Sequence, residues 1–114
     1  MTAAPLVQMW VAVCDVDRLQ PERGVAALVD GVQIAIFRTF DGTLYALDNR
    51  DPFGGAYVLS RGIVGTRHDA PTVASPMYKE AFDLRTGICL DDTTVRVATY
   101  PVRQAGDQVE VRMR

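Results

Sequence analysis

Two Asp-Gly dipeptides, Asp30-Gly31 and Asp41-Gly42, each stand between apolar runs, and no other feature of the chain restricts its fold as much. A tight two-residue turn that matches the twist of its strands needs positive φ at both central positions, which Asp and Gly tolerate. The runs at 25–29, 32–39 and 43–47 are dominated by Val, Ile, Phe, Leu and Ala. The dipeptides therefore predict a three-strand antiparallel meander. A further strand is expected at 8–13, ahead of a loop at 15–24 that holds Pro21 and Gly24 and has room for one short helical turn.

The rest of the chain repeats this grammar. Short apolar runs at 63–66 and 71–75 flank Arg67-His68-Asp69-Ala70, another hairpin candidate. Residues 81–84 form a short strand ended by the Thr86-Gly87 turn. The last two strands are expected at 94–100 and 109–113, with Gln104-Ala105-Gly106-Asp107 turning between them. Val95, Val97 and Thr99 alternate with Arg96, Ala98 and Tyr100, the pattern of a half-buried antiparallel strand. No stretch holds a helical apolar period over more than about two turns. There is no internal repeat, low-complexity segment or linker. Many short strands with frequent turns indicate an all-β sandwich or small barrel. The segment from about 48 to 87 is richer in Gly, Pro and turns, and reads as a small loop-rich lobe inserted into a larger antiparallel base.

A chain of 114 residues is expected to form a single domain over 1–114. Its net charge of −2 leaves no basic patch to argue for nucleic acid. The apolar runs fall far short of the roughly 20 residues of a membrane span. Met1-Thr2-Ala3-Ala4-Pro5 has neither a charged n-region nor an apolar h-region, so the expectation is a cytoplasmic protein. Cys14 and Cys89 each sit in apolar surroundings and are expected to be reduced, buried small hydrophobes. Two Cys and one His cannot supply the four nitrogen or sulfur ligands of a structural zinc site.

Enzymatic motifs find no support. His68, the sole histidine, falls in a turn, where a His-Asp neighbour pair does not create the geometry of an activated nucleophile. Gly54-Gly55 and Asp30-Gly31 lack both the spacing and the following helix of a dinucleotide fingerprint.

Two loops carry the functional signal. The first reads Asp48-Asn49-Arg50-Asp51-Pro52-Phe53-Gly54-Gly55-Ala56, and the second reads Ala74-Ser75-Pro76-Met77-Tyr78-Lys79-Glu80. The pair resembles the cluster-binding loops of Rieske iron–sulfur domains. In that family the first loop carries Cys-x-His, the second carries Cys-x-x-His, and the four side chains hold a [2Fe–2S] cluster. The matching positions here read Asp51, Phe53, Ser75 and Tyr78. Together with Ser60-Arg61-Gly62-Ile63-Val64-Gly65 and Phe82-Asp83-Leu84-Arg85-Thr86-Gly87, these loops are similar to one subgroup. That subgroup is the small subunits of bacterial assimilatory NAD(P)H-dependent nitrite reductases, Rieske-like proteins without cluster ligands.

The resemblance implies a Rieske-like base with an inserted lobe, no metal or cofactor in this chain, and a large-subunit partner. That partner would carry FAD, sirohaem and iron–sulfur centres and reduce nitrite to ammonium. Two other functions stay open at this point. One is a stand-alone degenerate Rieske-like protein-binding module; the other is a Rieske-type electron carrier, which the four ligand positions oppose.

Each loop residue has a bland and a sharp reading. Phe53 and Tyr78 either fill the space a cluster would leave or project as partner anchors. Asp51 and Ser75 are good turn residues, able to bond nearby backbone amides. With Tyr78 they would make a poor set for a hard cation that wants six or more oxygens. Arg50 and Lys79 either form a solvated rim or steer a partner to the tip.

Overall fold

The computed structural model describes residues 9–113 and contains ten strands: β1 Trp10–Asp15, β2 Arg23–Val29, β3 Val32–Arg38, β4 Leu44–Asp48, β5 Ile63–Arg67, β6 Ala70–Ala74, β7 Ala81–Asp83, β8 Thr99–Tyr100, β9 Val102–Ala105 and β10 Gln108–Arg112. They form three sheets, ordered β1-β10-β9, β2-β3-β4-β8 and β5-β6-β7, and the strand pairs are antiparallel. Two short 3-10 turns interrupt them, at Val16–Arg18 and Leu59–Arg61.

Strand β3 explains the layering. Its residues Ile34, Ala35, Ile36 and Phe37 are all fully buried. Alternate side chains point to opposite faces of a strand. Ile34 and Ile36 join Leu19, Val29, Ala46, Val109 and Val111 in one core, against the β1-β10-β9 sheet. Ala35 and Phe37 join Leu47, Leu59, Val73, Phe82, Leu84, Cys89 and Val97 in a second core, against the β5-β6-β7 sheet. The four-stranded sheet is thus covered on both sides, which is why 34–37 is an unbroken apolar run instead of an alternation.

The two sheets around the first core are the base. The third sheet lies between β4 and β8 in sequence, so the lobe expected at 48–87 is present as an insertion.

Turn chemistry follows the sequence closely. Asp30 and Gly31 have φ of 50° and 78°, and Val29 pairs with Val32 across the two-residue turn. His68 and Asp69, at 49° and 65°, make the equivalent turn between β5 and β6 without any glycine. Asp41-Gly42 is built differently: five residues separate Arg38 from its partner Leu44, and only Gly42 has positive φ. Its Asp41 carboxylate accepts hydrogen bonds from the Thr39 hydroxyl and the Thr43 amide, and this lowers its pKa from the usual carboxylate value.

Three expectations need correction. The first strand runs to Asp15, with a register shift between Ala12 and Cys14; expected residue Gln8 lies outside the described residues. The strand expected over 94–100 is regular only at Thr99–Tyr100. Upstream of that the chain is shared among partners: Val95 O accepts from Cys89 N, Val97 N donates to Gly87 O, and Ala98 O accepts from Asp48 N. It stitches lobe to base and so forms no ladder with one neighbour, although Val95 and Val97 do turn inward as their alternation implies. Consequently the last hairpin is β9–β10, not 94–100 with 109–113. Pro101, which lacks an N–H, separates β8 in one sheet from β9 in another.

The cysteines divide as well. Cys89 is fully buried, but Cys14 is only half-buried.

Candidate functional site

The two loops meet at one end of the lobe. Loop one leaves β4 through Asn49, a buried residue whose side chain is fully engaged. Its Nδ2 donates to Gln33 Oε1 and to Tyr57 O at 3.2 Å each, and its Oδ1 accepts from Ser60 N at 2.7 Å. Sequence reasoning missed Asn49 as the anchor of this loop. The available signal was a polar residue at the end of an apolar strand, directly before a turn.

The loops close in the same way. In loop one, Gly55 N donates to Asp51 O at 2.7 Å and Asp51 N donates to Ala56 O at 2.7 Å. In loop two, Lys79 N donates to Ser75 O at 2.9 Å and Ser75 N donates to Glu80 O at 3.0 Å. Gly55 and Lys79 occupy the left-handed region, at φ of 79° and 64°. Asp51 and Ser75 then each accept from the amide two residues on: Phe53 N to Asp51 Oδ1 at 2.8 Å, and Met77 N to Ser75 Oγ at 3.2 Å. Gly54 N adds a longer contact to Asp51 Oδ1, at 3.4 Å.

Asp51 and Ser75 face each other. The Ser75 hydroxyl donates to Asp51 Oδ2, and the two residues are 0% and 1% exposed. Among the described residues no other hydrogen bond joins 51–56 to 75–80. Both oxygens of the buried carboxylate therefore have donors, as a buried ionisable group requires.

The aromatic residues sit outside this polar pair. Phe53 is 39% exposed and packs at a tilt on buried Phe82, with ring centroids 6.3 Å apart. Tyr78 is 56% exposed, and its ring crosses to loop one: a Cβ on Gly54 would lie 2.9 Å from Tyr78 Cε2. Met77 and Tyr57 are exposed as well. Arg50 and Lys79 are exposed, with the Arg50 guanidinium close to Gly55. The tip thus has an apolar centre and a cationic rim. His68 is exposed at the far end of the β5–β6 ladder from Ser75.

Among the described residues no group of three or more His, Cys, Asp or Glu side chains gathers as a cation site. The arrangement is suited to binding a surface. Aromatic residues, Met and Arg are enriched at interaction faces.

Comparison with known proteins places this geometry in context. A family model described as Rieske-like [2Fe-2S] domain matches residues 9–112. A nitrite reductase (NADH) small subunit from Salmonella typhimurium is 37% identical over 107 residues, covering 93% of this chain and 99% of the relative. A crystal structure of a Mycobacterium tuberculosis protein is 47% identical, with a TM-score of 0.90 over 94% of this chain and 96% of that one. A Klebsiella oxytoca protein named as a nitrite reductase [NAD(P)H] large subunit is 40% identical over 102 residues, covering 90% of this chain and 11% of that protein.

Proposed function

The chain belongs to the Rieske-like [2Fe-2S] domain family, and on that footing we propose that it is the small, accessory subunit of an NAD(P)H-dependent nitrite reductase. One observation carries this reading. The alignment with a nitrite reductase small subunit runs through 93% of this chain and 99% of the relative, so base and lobe both match, not one motif alone.

The partner is the large subunit. In the Klebsiella oxytoca relative a stretch like this chain lies within the polypeptide named large subunit, so there the two are parts of one molecule. FAD, sirohaem and iron–sulfur centres belong to the large subunit in this reading. So does the reduction of nitrite to ammonium for assimilation. The assembly would be cytoplasmic; no helix among the described residues is long and apolar enough to cross a membrane.

A [2Fe–2S] cluster does not fit the tip. Rieske centres take two thiolates and two imidazoles. By the resemblance of the two loops, Asp51, Phe53, Ser75 and Tyr78 take the matching positions. Phe53 has no donor atom. Both Asp51 carboxylate oxygens and the Ser75 hydroxyl are already hydrogen-bonded to each other or to loop amides. We therefore infer that the chain contributes binding to the complex and passes no electrons. Its offered face is Arg50, Phe53, Tyr78 and Lys79, and a partner surface with carboxylates around an apolar centre would complement it.

The test is capture of the large subunit under reducing conditions, followed by nitrite-dependent NAD(P)H oxidation with and without this chain. Recovery of a sirohaem–flavin polypeptide, with activity that depends on the chain, is the expected result. Failure to recover any such partner overturns the reading and favours a free-standing binding module.

A further inference from the structure

We propose that the Asp51–Ser75 hydrogen bond does for these two loops the mechanical work that a cluster does in a Rieske domain: it clasps the two loops, so that Phe53, Met77 and Tyr78 are presented to the partner in one fixed arrangement. The proposal rests on the reading of the tip as the face turned to the large subunit.

The argument begins with connectivity. Met77 N–H donates to Ser75 Oγ, the Ser75 hydroxyl donates to Asp51 Oδ2, and Asp51 Oδ1 accepts from Phe53 N–H and Gly54 N–H. One polar chain therefore runs from the middle of loop two to the middle of loop one. Its ends are the amides of Met77 and Phe53, two of the side chains exposed at the tip. Setting Asp51 and Ser75 sets where those side chains emerge.

Burial makes the clasp obligatory. With Asp51 and Ser75 at 0% and 1% exposed, neither partner can turn to bulk water unless the loops separate. A buried carboxylate deprived of a donor carries its full desolvation penalty. Opening the loops is the readiest relief, because each loop is closed on itself and no other hydrogen bond joins them among the described residues. A further cross-loop contact is the Tyr78 ring over Gly54, which a half-exposed side chain cannot enforce alone. Loops that are already ordered bind with a smaller entropy penalty than loops that must order on contact.

Amide hydrogen exchange on the full chain tests the clasp, and titration with the large subunit tests its purpose. Ser75→Ala deletes Met77's acceptor directly, so the informative amides are those of loop one, Phe53, Gly54 and Gly55, none of which bonds to Ser75. A clasp predicts about tenfold faster exchange at these positions, with the β2-β3-β4 amides unchanged. It also predicts about tenfold weaker binding to the large subunit. Asp51→Ala and the double variant close a cycle: the two singles should not add, because each removes the same bond. If Asp51→Ala fails to fold, Ser75→Ala alone decides.

Faster exchange confined to Met77 overturns the clasp, while Phe53→Ala still weakens binding if the docking reading is right. Faster exchange in both loops with unchanged affinity overturns the role in presentation. If Phe53→Ala is silent as well, the docking reading falls with it.

Discussion

Ser75 donates its hydroxyl proton to the carboxylate of Asp51 across 24 residues of sequence, and both residues are sealed from solvent. This pair occupies the interior between the loops, where the sequence left open whether aromatic rings fill the space or project as partner anchors. Phe53 and Tyr78 are displaced outward, one leaning on Phe82 and the other lying over Gly54. Polar atoms can occupy such a space because the Asp51 carboxylate oxygens and the Ser75 hydroxyl each have a partner. The tip is left with rings that are half free to meet another protein.

That division predicts unequal stability losses among the aromatics. Phe82 is fully buried in the lobe core, so Phe82→Ala should lower the unfolding free energy by about 3–5 kcal/mol. The pair Phe53→Ala and Tyr78→Ala together should cost only about 1–2 kcal/mol, the scale of half-exposed ring contacts. Urea unfolding of the isolated chain measures both. The double variant should lose affinity for the large subunit out of proportion to its small loss of stability.

Two glycines in the lobe should respond very unequally to an added methyl group. At Gly87, φ is 77° and a Cβ would lie 2.1 Å from Val97 O, a backbone atom in the segment that stitches lobe to base. Gly87→Ala should therefore destabilise by about 3 kcal/mol or more, since it combines backbone strain with a collision that cannot relax locally. At Gly54 the obstacle is the exposed Tyr78 ring, which can swing away. Gly54→Ala should cost less than about 1 kcal/mol and should weaken partner binding by moving Tyr78. Thermal unfolding and a binding titration separate the two effects.

Acid should loosen the lobe. The Arg85 side chain donates to Asp83 through Nε at 3.1 Å and Nη2 at 2.9 Å, and holds the carboxyl below its ordinary pKa. Asp91 shifts the same way, through the Ala81 amide first and Arg67 second. A folded-state pKa below the unfolded value means that the stabilisation is fully present above about pH 4 and is lost as pH falls through the folded-state value. Asp83→Asn should cost about 1–2 kcal/mol near neutral pH. Its difference from the parent chain should shrink toward zero in acid. Unfolding measured across that range checks both the size and the sign.

The cysteines should label at different rates. Cys89 is fully buried and should react with iodoacetamide only on unfolding. Cys14 is half-buried beside the β1 register shift, and burial followed by the neighbouring Asp15 charge pushes its thiol pKa up. It should react in the native state, but more slowly than a free thiol at the same pH. Peptide mapping after timed labelling distinguishes the two sites.

Much of the fold could be read from local chemistry. Asp30-Gly31 and Arg67-His68-Asp69-Ala70 announced their hairpins because a two-residue turn writes its φ requirement into the sequence. The all-β layout and the inserted lobe followed from turn spacing.

Segment 94–100 was misread because its alternation reports which side chains turn inward, not which strand the backbone bonds to. Val102–Ala105 was missed because Val-Arg-Gln-Ala carries little strand signal and Pro101 stands before it. Its pairing is dictated by β10. At the tip, Asp51 and Ser75 were legible as turn formers, but their bond to each other was not, since nothing local encodes a contact across 24 residues. The one available hint was the shared pattern of Asp51-Pro52-Phe53 and Ser75-Pro76-Met77, two loops that begin alike.

The most direct test of the central claim is iron and acid-labile sulfide analysis of the purified chain, with its visible spectrum. A hydrogen-bonded clasp in place of a cluster predicts a folded, colourless protein with no stoichiometric iron or sulfide. Iron and sulfide at two each per chain, with absorbance in the visible, would mean that the loops hold a [2Fe–2S] centre through other ligands. The account of Asp51 and Ser75 would then be wrong.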